Sequence, residues 1–400
     1  MDDTNQLFNM ENRYCVIMCG GIGSRFWPFS KTAAPKQFLD FFGTGRSLLQ
    51  MSYDRVSDIV PMRNIIIVTN EMYAPLVKEQ LPELRDNQIL FEPDRRNTAP
   101  CIAWAAYHIR AINPNAVMLV TPSDHLILKE DAFRKAVLKG FDFVSKHSSL
   151  LTMGIKPNRP ETGYGYIQVS HEGSPVEGIE KVKTFTEKPD MELAKVFLES
   201  GEFFWNSGMF MWSVNSIIDA FHEYAPEIAM RFDKGLGKFG TPKEMEFINK
   251  EFPACQNISI DYAVMEKNNN VYVQCVDLGW SDLGSWGALY EKSPKADNGN
   301  VMRNCKTVIN NCEGNIFAAK TEKLIVASGL KNYIVADNGN ILLICPLDEE
   351  QKIKQYVNEV KANFGGPAAN CSFFRWSFVS TKAASSSAWR AKARTTRAPT

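Results

Sequence analysis

The sequence predicts an α/β fold, with a mixed, mostly parallel sheet flanked by helices. Short apolar runs alternate with longer segments of helical periodicity, as in parallel strands covered on both faces. The first apolar run, at 14–18, leads into the glycine cluster Gly20-Gly21-Ile22-Gly23-Ser24-Arg25, at the strand end where open α/β sheets bind ligands. From about residue 300 short β-rich runs separated by Asn-Gly turns predict a second, smaller domain.

The elements of the larger part are assigned from periodicity and from the turn residues that bound each run. Strands are predicted at 14–18, 64–69, 88–91, 116–121, 150–155, 181–187 and 271–276, and helices at 47–60, 71–84, 98–112 and 131–146. The pattern is less regular over 161–188, as in insertions that build the rim of a binding site.

The smaller domain is predicted from the change in sequence pattern beyond residue 298. Strands are expected at 307–309, 315–319, 324–327, 333–336 and 341–345, and a polar helix at 348–363 closes the folded part. We therefore divide the chain into a catalytic domain at 1–298, a β-rich domain at 299–365 and a tail at 366–400. The tail is rich in Ala, Ser and Thr and has six basic residues and no acid, so we expect a disordered basic tail. A basic arm that binds RNA or a membrane surface is the alternative.

Composition excludes several classes of function. The chain of 400 residues has 45 basic and 45 acidic side chains, so no global basic field attracts nucleic acid. Its nine cysteines form no Cys-x-x-Cys pair, which favours a reduced, cytoplasmic compartment. The N-terminus lacks the pattern of an export signal, and no apolar run reaches membrane-spanning length. We expect neither nucleic acid nor a membrane as a partner.

The glycine cluster has the composition of a loop around a nucleoside triphosphate. Gly20, Gly21 and Gly23 allow close backbone approach, while Arg25 and Lys36 supply positive charge. The spacing fits neither the dinucleotide fingerprint nor the Walker pattern. Asp40, at about the distance expected of a ribose-binding acid, is therefore interpreted as a coincidence. A plain tight turn is the alternative for the cluster itself.

Two aspartates follow predicted strands and could hold a divalent cation. Asp124 lies in Pro122-Ser123-Asp124-His125, and Asp282 follows Gly279-Trp280-Ser281. Hard carboxylate oxygens with water complete the shell that Mg²⁺ prefers. Each aspartate could instead cap a turn. Asp277 is a rival for the second ligand, but its position nearer the strand favours a structural role.

Histidine chemistry is not favoured. His125 lies beside Asp124, but no serine-elbow or cysteine-nucleophile pattern accompanies the pair, so a structural or supporting role is expected. The five histidines are dispersed without the spacing of zinc ligands.

Polar groups in the irregular segment suit a sugar phosphate. Glu187-Lys188-Pro189 places a carboxylate for hydroxyl groups next to an ammonium for phosphate. Gly165 offers close backbone approach, and the amide of Asn206 can meet a sugar hydroxyl. A surface ion pair and ordinary core packing are the alternatives for these segments.

These motifs together resemble the sugar-1-phosphate nucleotidylyltransferases, most closely the mannose-1-phosphate guanylyltransferases, from about residue 14 to residue 363. The matching stretches, in chain order, are 20–28, 35–38, Glu92-Pro93 with Arg96-Asn97-Thr98-Ala99-Pro100, 122–125, 185–189, 205–209 and 280–286. The resemblance implies the Rossmann-like nucleotidyltransferase fold with a small C-terminal β-helix-like domain.

The resemblance also implies roles for individual residues. The nucleotide-binding set would be Gly20, Gly21, Gly23, Ser24, Arg25, Lys36, Arg96, Asn97 and Thr98, with the last three against the guanine end. The mannose 1-phosphate set would be Gly165, Glu187, Lys188 and Asn206. Arg25, Lys36, Asp124 and Asp282 would be catalytic, with Mg²⁺ held by the two aspartates.

The implied reaction is in-line attack of mannose 1-phosphate on the α-phosphorus of GTP, which gives GDP-mannose and pyrophosphate without a covalent intermediate. Partners would be GTP, mannose 1-phosphate and a second copy in a homodimer. Three alternatives stay open. The enzyme could use another hexose 1-phosphate or nucleotide, the chain could be a non-catalytic nucleotide-sugar sensor, or it could be a nicotinamide oxidoreductase, which the failed dinucleotide spacing disfavours.

Overall fold

A nine-stranded mixed sheet forms the centre of the larger part of the chain. The computed structural model describes residues 10–21, 23–170, 176–186 and 188–365, without the side chain of Ser24. The strands are β1 (Arg13–Cys19), β2 (Ile65–Asn70), β3 (Ile89–Glu92), β4 (Val117–Pro122), β5 (Leu150–Ile155), β6 (Tyr166–Ser170), β7 (Ile179–Thr186), β8 (Phe203–Ser213) and β9 (Val271–Val276). Their order across the sheet is β3-β2-β1-β4-β8-β5-β9-β7-β6. Glu187 and the tail predicted at 366–400 lie outside the described residues.

The prediction of a mixed sheet is confirmed, but "mostly parallel" is wrong. The run β3-β2-β1-β4 and the pair β5–β9 are parallel. Antiparallel pairing joins β8 to β4, β5 and β6, and joins β7 to β6 and β9. The error arises because β6 and β8 lie in segments that were not assigned as strands. In addition, β8 lies between β4 and β5, which the alternation of strands and helices alone would place side by side.

The helices cover both faces of this sheet. They are α1 (Leu48–Ser57), α2 (Ala74–Gln80), α3 (Thr98–Ile112), α4 (Glu130–Lys146), α5 (Met191–Ser200), α6 (Val214–Tyr224), α7 (Pro226–Asp233), α8 (Glu244–Glu251) and α9 (Trp286–Lys292). The predicted helix at 71–84 is shorter, since a 3₁₀ turn at Glu71–Tyr73 precedes α2. Helices α5 to α9 were not predicted.

Helix α3 fixes the position of the sheet's ligand-binding edge. It is buried along nearly its whole length against one face of the sheet, which its alanine-rich sequence permits. Its Trp104 indole N–H donates to the buried Glu244 carboxylate at 2.7 Å, and His108 meets the same carboxylate at 2.8 Å. A second apolar cluster on the other face includes α1 and α4. The carboxyl ends of β1, β3 and β4 are thereby held rigidly beside the start of α3.

The C-terminal part is a four-stranded sheet, ordered β10 (Val301–Asn310), β11 (Ile316–Ser328), β12 (Tyr333–Asp337) and β13 (Leu342–Pro346). The first three strands run parallel and the last is antiparallel. The two strands predicted at 315–319 and 324–327 are one continuous strand, β11. A 3₁₀ segment, Leu347–Lys352, leads into helix α10 (Ile353–Phe364).

Buried asparagines stack the turns of this sheet on one another. The Asn315 amide donates to the Asn300 side-chain oxygen and to the Leu330 carbonyl, each at 2.8 Å, and the Tyr333 N–H donates to the Asn315 side chain at 2.8 Å. Buried amides are stable only when their hydrogen bonds are satisfied. The β-helix-like assignment and the division at residue 298 remain predictions.

Trp286 joins the two sheets. It is 1% exposed, its ring lies 5.5 Å from that of Phe26 and 5.6 Å from that of Phe29, and its indole N–H donates to the Trp27 carbonyl at 3.4 Å. The same apolar cluster takes in residues of β10 to β13 and of α10. The C-terminal sheet therefore packs directly on the segment that follows the glycine cluster. In the described part of the chain, no helix combines the length and apolar character needed to cross a bilayer.

Replacing Trp286 by alanine should lower the free energy of unfolding by about 3–5 kcal/mol, because a large aromatic side chain leaves a cavity between the two sheets. Urea denaturation measures this loss. Leu324→Ala is the matched control, since Leu324 is 65% exposed and its truncation should change stability by less than about 0.5 kcal/mol. Equal effects of the two substitutions would contradict the joining role of Trp286.

Candidate active site

The glycine cluster begins immediately after β1 and lies against the candidate catalytic side chains. A Cβ atom on Gly21 would sit 3.8 Å from Asp124 Oδ2. Gly23 has φ +61°, and a Cβ atom there would sit 2.7 Å from Lys36 Cγ. The Gln37 amide donates to the Gly21 carbonyl at 2.9 Å and so fixes the course of the loop. Glycine is required at position 23 both by the backbone conformation and by the approach of Lys36.

Lys36 is the centre of the site. Its side chain is buried, and its ammonium donates to the backbone carbonyls of Asp282 at 2.7 Å and Leu283 at 3.2 Å. The same nitrogen lies 3.0 Å from Asp124 Oδ2. One cation thus ties together the two segments that were predicted to carry the metal ligands.

Backbone pairing brings these two segments together. The N–H of Leu126 donates to the Ser281 carbonyl at 2.9 Å, and the N–H of Ser281 donates back to Leu126 at 3.0 Å. Asp124 precedes this bridge and Asp282 follows it, so the two residues lie close together in the fold, with the Asp124 carboxyl group near Gly21. The structure therefore places the two predicted aspartates in one site.

The two carboxyl groups have different hydrogen-bond and charge partners. Burial acts to raise the pKa of Asp124, but the Lys36 ammonium and His125 together hold that pKa below its usual value. Asp282 Oδ1 accepts hydrogen bonds from the Tyr164 hydroxyl at 2.9 Å and from the Gly284 N–H at 2.8 Å. Burial and the nearby Asp282 carboxylate raise the pKa of Tyr164, so its hydroxyl remains a donor.

The two aspartates supply the hard oxygen ligands that a hydrated divalent cation prefers. A Cβ atom on Gly284 would come within 2.4 Å of Asp282 Oδ2, so the glycine leaves that oxygen its space. Among the described residues no cluster of three or more His, Cys, Asp or Glu side chains could hold a metal ion. Two hard oxygen ligands suffice for Mg²⁺, which keeps several waters and substrate phosphate oxygens in its shell. The donor set thus suits a cation shared with a phosphate ligand.

The rival acids and the histidine have other functions in the fold. Asp277 is exposed and pairs with Lys129 on the surface. Asp40 accepts from the backbone N–H groups of Phe42, Thr44 and Gly45, which explains it as a turn residue. His125 Nδ1 accepts from the Trp280 indole N–H at 3.2 Å, and burial lowers the pKa of this histidine. These positions agree with the structural roles that the sequence favoured.

A cavity of about 450 Å³ opens beside the glycine cluster. Its wall brings together residues from four strand ends and from the start of α3, including Gly20, Gly21, Glu92, Arg95, Arg96, Asn97, Thr98, Cys101, Asp124 and Asn257. Five of the predicted nucleotide-binding residues, Gly20, Gly21, Arg96, Asn97 and Thr98, therefore line the same cavity. The volume is in the range of small-ligand pockets.

The start of α3 is shaped by an unusual backbone conformation at Asn97. This residue has φ +66°, and its side chain caps the helix by accepting from the Thr98 N–H at 2.8 Å. The Thr98 hydroxyl accepts from the Ile260 N–H at 2.9 Å. Arg96 pairs with Asp94 at 2.7 Å, while its buried Nε atom has no hydrogen-bond partner among the described residues. Strain and an unpaired donor at this rim are typical of a ligand-binding edge.

Arg25 lies in the 3₁₀ turn Ser24–Phe26 and is half-buried. Its charge acts on Glu350, a residue of the segment before α10, whose pKa is raised chiefly by burial. Glu350 also accepts from the Gly287 N–H at 2.6 Å. The C-terminal segment therefore contributes a carboxyl group to the surroundings of the predicted phosphate-binding arginine.

Two of the predicted sugar-binding residues, Gly165 and Asn206, are linked to Asp282 through Tyr164, which precedes Gly165 and bonds the Asp282 carboxylate. A Cβ on Gly165 would lie 3.7 Å from Asn206 Cβ, and the Asn206 N–H donates to the Gly165 carbonyl at 2.8 Å. The Asn206 amide donates to Asp261 Oδ1 at 2.8 Å, and its oxygen accepts from the Gly208 N–H at 3.1 Å. Lys188 is exposed, and Glu187 lies outside the described residues. The structure thus brings together Gly165 and Asn206 but leaves the Glu187 prediction open.

Three residues near these groups had no role in the sequence-based hypothesis. Glu92 ends β3 in the cavity wall, Tyr164 bonds Asp282, and Asp261 bonds Asn206 at the start of a π-helical turn, Asp261–Met265. Glu92 could have been found as a polar residue at a strand end. Asp261 gave no signal in the sequence pattern, because a π-turn depends on tertiary packing.

The chain resembles known proteins over most of its length. Residues 14–299 match the family model described as nucleotidyl transferase. Mannose-1-phosphate guanylyltransferase from Escherichia coli (strain K12) is 37% identical over 358 residues, covering 88% of this chain and 74% of that protein. A structure titled mannose-1-phosphate geranyltransferase, from Thermus thermophilus, superposes with a TM-score of 0.78 at 26% identity and covers 88% of this chain and 99% of that one.

A further structure, titled mannose-6-phosphate isomerase from Helicobacter pylori, superposes with a TM-score of 0.53 at 28% identity, over 68% of this chain and 99% of that one. The family model covers more than half of this sequence, and the relative from E. coli is matched over most of both lengths. The chain therefore belongs to the nucleotidyl transferase family of enzymes and, within it, to the mannose-1-phosphate guanylyltransferases.

Proposed function

We propose that this protein transfers GMP from GTP to α-D-mannose 1-phosphate and forms GDP-mannose and pyrophosphate. The observation that carries the proposal is the buried Lys36 ammonium, which joins Asp124 to the Asp282 segment beside Gly21. Gly21 and Asp124 line the cavity, and Asp282 is bonded by Tyr164, the neighbour of Gly165. A triphosphate and a sugar phosphate can therefore meet at the aspartates.

Catalysis would come from positioning and charge. The loop at Gly20, Gly21 and Gly23 would hold the phosphates, and Lys36 and Arg25 would stabilise the charge that develops on the transferring group. Enzymes of this family generally use a divalent cation. We propose Mg²⁺ on Asp124 and Asp282, where it would neutralise phosphate charge when bound. No side chain is required as a nucleophile, because the phosphate of the sugar attacks directly.

The sugar would lie against Gly165 and Asn206. The Asn206 amide uses one N–H on Asp261, so its second N–H remains for a hydroxyl group of the sugar. Lys188 would meet the phosphate, and Glu187 the hydroxyl groups. Ser24, Arg96, Asn97 and Thr98 complete the proposed nucleotide site. A cytoplasmic location and a homodimer also remain part of this proposal.

Pyrophosphate release tests the reaction. With Mg²⁺ present, GTP with mannose 1-phosphate should release pyrophosphate, while glucose 1-phosphate, ATP or UTP in place of the matching substrate should give much lower rates. Release with another pair of substrates would show that the enzyme has a different substrate specificity but carries out the same type of reaction. No release with any pair would favour a nucleotide-sugar sensor.

Removing a charged group at the centre should stop turnover while folding persists. We expect Asp124→Ala and Lys36→Ala each to lower kcat by at least about 10²-fold, because each removes preorganised charge from the reacting phosphates. Steady-state assays and circular dichroism check the two parts of this prediction. Lys129→Ala is the control, since Lys129 pairs with Asp277 on the surface. A folded Lys36→Ala enzyme with near-normal rates would remove Lys36 from the mechanism.

A methyl group at position 23 should damage the site through Lys36. Gly23→Ala and Gly43→Ala both put alanine at positive φ, of +61° and +66°, at a similar cost of about 1–2 kcal/mol. Only the first meets Lys36, since a Cβ atom on Gly43 has nothing within 4 Å. We expect Gly23→Ala to lower kcat/KM at least tenfold and Gly43→Ala to leave it within twofold. Equal activities would show that the Lys36 position is not set by this contact.

Asp261 should act through Asn206. Asp261→Ala frees the Asn206 amide, so the KM for mannose 1-phosphate should rise about tenfold while the KM for GTP stays within twofold. Asp261→Asn keeps an oxygen acceptor for that amide and should stay within about threefold of the unchanged enzyme. Substrate titrations at saturating partner concentration separate the two KM values. A rise in the KM for GTP alone would place Asp261 in the nucleotide site instead.

A further inference from the structure

A second cavity, of about 530 Å³, lies between the C-terminal sheet and the segment at 39–43 that follows the glycine cluster. It shares no lining residue with the cavity beside the glycine cluster, and the proposed transfer chemistry uses none of its residues. Much of its wall is aromatic or aliphatic, with contributions from Phe29, Phe41, Phe42, Trp286 and Leu289. The volume is in the range of small-ligand pockets.

Arg303 of β10 is the polar centre of this cavity. Its guanidinium carbon lies 5.3 Å from the centroid of the Phe42 ring, and the residue is half-buried. Burial lowers the pKa of Arg303, and the nearby Asp40 carboxylate acts in the opposite direction. The guanidinium group has neither a hydrogen-bond nor an ion-pair partner within the described part of the chain. A guanidinium group carries several N–H donors, and withdrawing them from water without partners is costly, so this group favours an anionic ligand.

The acid near Arg303 is engaged by its own turn. Asp40 Oδ1 accepts from the backbone N–H groups of Phe42 at 3.0 Å and Thr44 at 3.2 Å, and its Oδ2 accepts from that of Gly45 at 2.8 Å. Asp40 therefore acts on the guanidinium only at a distance. The cavity wall also includes Lys320, which is exposed. Two cations and one acid line the cavity, which leaves an excess of positive charge.

The backbone of the C-terminal sheet holds the two cations near each other. Asn304 has φ +49°, and its side-chain amide donates to the carbonyls of Ala319 at 3.2 Å and Lys320 at 2.9 Å. The register of β10 against β11 shifts at this corner, between Arg303 and Cys305. Since Arg303 directly precedes the asparagine that bonds the Lys320 backbone, both cations border the same space.

We propose that this cavity is a second ligand site, for a small molecule that joins a phosphate or carboxylate group to an aromatic or apolar body. The anionic group pairs with Arg303 and Lys320, because a guanidinium group matches both kinds of anion with parallel hydrogen bonds. The body packs against the aromatic wall. This inference goes beyond the proposed function and does not depend on it. A ligand here contacts both the C-terminal sheet and the segment after the glycine cluster.

Calorimetric titration of the full chain, without GTP or mannose 1-phosphate, tests the chemistry of the site. Phenyl phosphate and benzoate carry both parts of the ligand, whereas inorganic phosphate and phenol each carry one. We expect the tighter of the first two to bind with a Kd of about 0.1–1 mM, as for a compound of this size. Inorganic phosphate and phenol should each bind about tenfold or more weakly. The tighter of phenyl phosphate and benzoate identifies the anion, and inorganic phosphate binding as well as phenyl phosphate would overturn the inference.

The methyl group of Met302 reports where the ligand binds. Met302 lines the cavity and is 39% exposed, so an aromatic ring bound there should shift its methyl resonance. Spectra of the chain labelled at methionine methyl groups measure this shift, and Met302→Leu assigns the resonance. The shift should saturate at the concentrations found by calorimetry. Saturation without any change at Met302 would place the ligand elsewhere and overturn the inference.

Arg303→Met should weaken binding of the tighter compound about tenfold or more, because it removes the charged donors and keeps an apolar side chain. Arg110→Met is the matched control, since the Arg110 guanidinium lies 4.8 Å from the Tyr107 ring on α3, outside the cavity. The control should bind as the unchanged chain does. Unaltered affinity of a folded Arg303→Met protein would contradict the proposal. The Met302 measurement on the unchanged chain decides the matter even if this variant folds poorly.

Discussion

The buried ammonium of Lys36 is the interaction on which the arrangement of the site depends. It donates hydrogen bonds to the backbone carbonyls of Asp282 and Leu283 and pairs with the Asp124 carboxylate. Two segments that are distant in sequence are therefore held at a fixed separation. Removing a charge from water is costly unless its partners are well placed, and here all three partners are oxygens within 3.2 Å. Lys36 thus links Asp124, the Asp282 segment and, through its contact with Gly23, the glycine cluster at one point.

Much of the first half of the fold could be predicted from sequence because its strands are mainly apolar and its longer helices have an apolar face. The strands at 150–155 and 271–276 have the predicted limits. The sequence could not show that β8 lies between β4 and β5. An antiparallel strand buried in the middle of a sheet has the same apolar composition as any other buried segment, so its position in the strand order leaves no local signal. Helices α5 to α8 were missed in the stretch between the recognisable motifs.

The site was predicted more completely on its phosphate side than around the sugar and the base. Glycines, Lys36 and the two aspartates follow strand ends, which is a signal that a single sequence carries. Asp261 and Tyr164 act through contacts with Asn206 and Asp282, which depend on long-range packing. Glu92 could have been noted as a polar residue at the end of β3, but its burial depends on the surrounding fold.

The apolar cluster around Trp286 has a consequence for how the protein is made. Phe26 and Trp27, which follow the glycine cluster, share this cluster with Ile353 and Val357 of α10. The ribosome synthesises these two parts of the cluster more than three hundred residues apart, so the early segment has no contact with its partners in α10 until those residues have been made. The parallel strands can associate before then, but the packing around the segment after the glycine cluster is completed only once α10 has been made. Folding and acquisition of activity should therefore be separable events in the life of each chain.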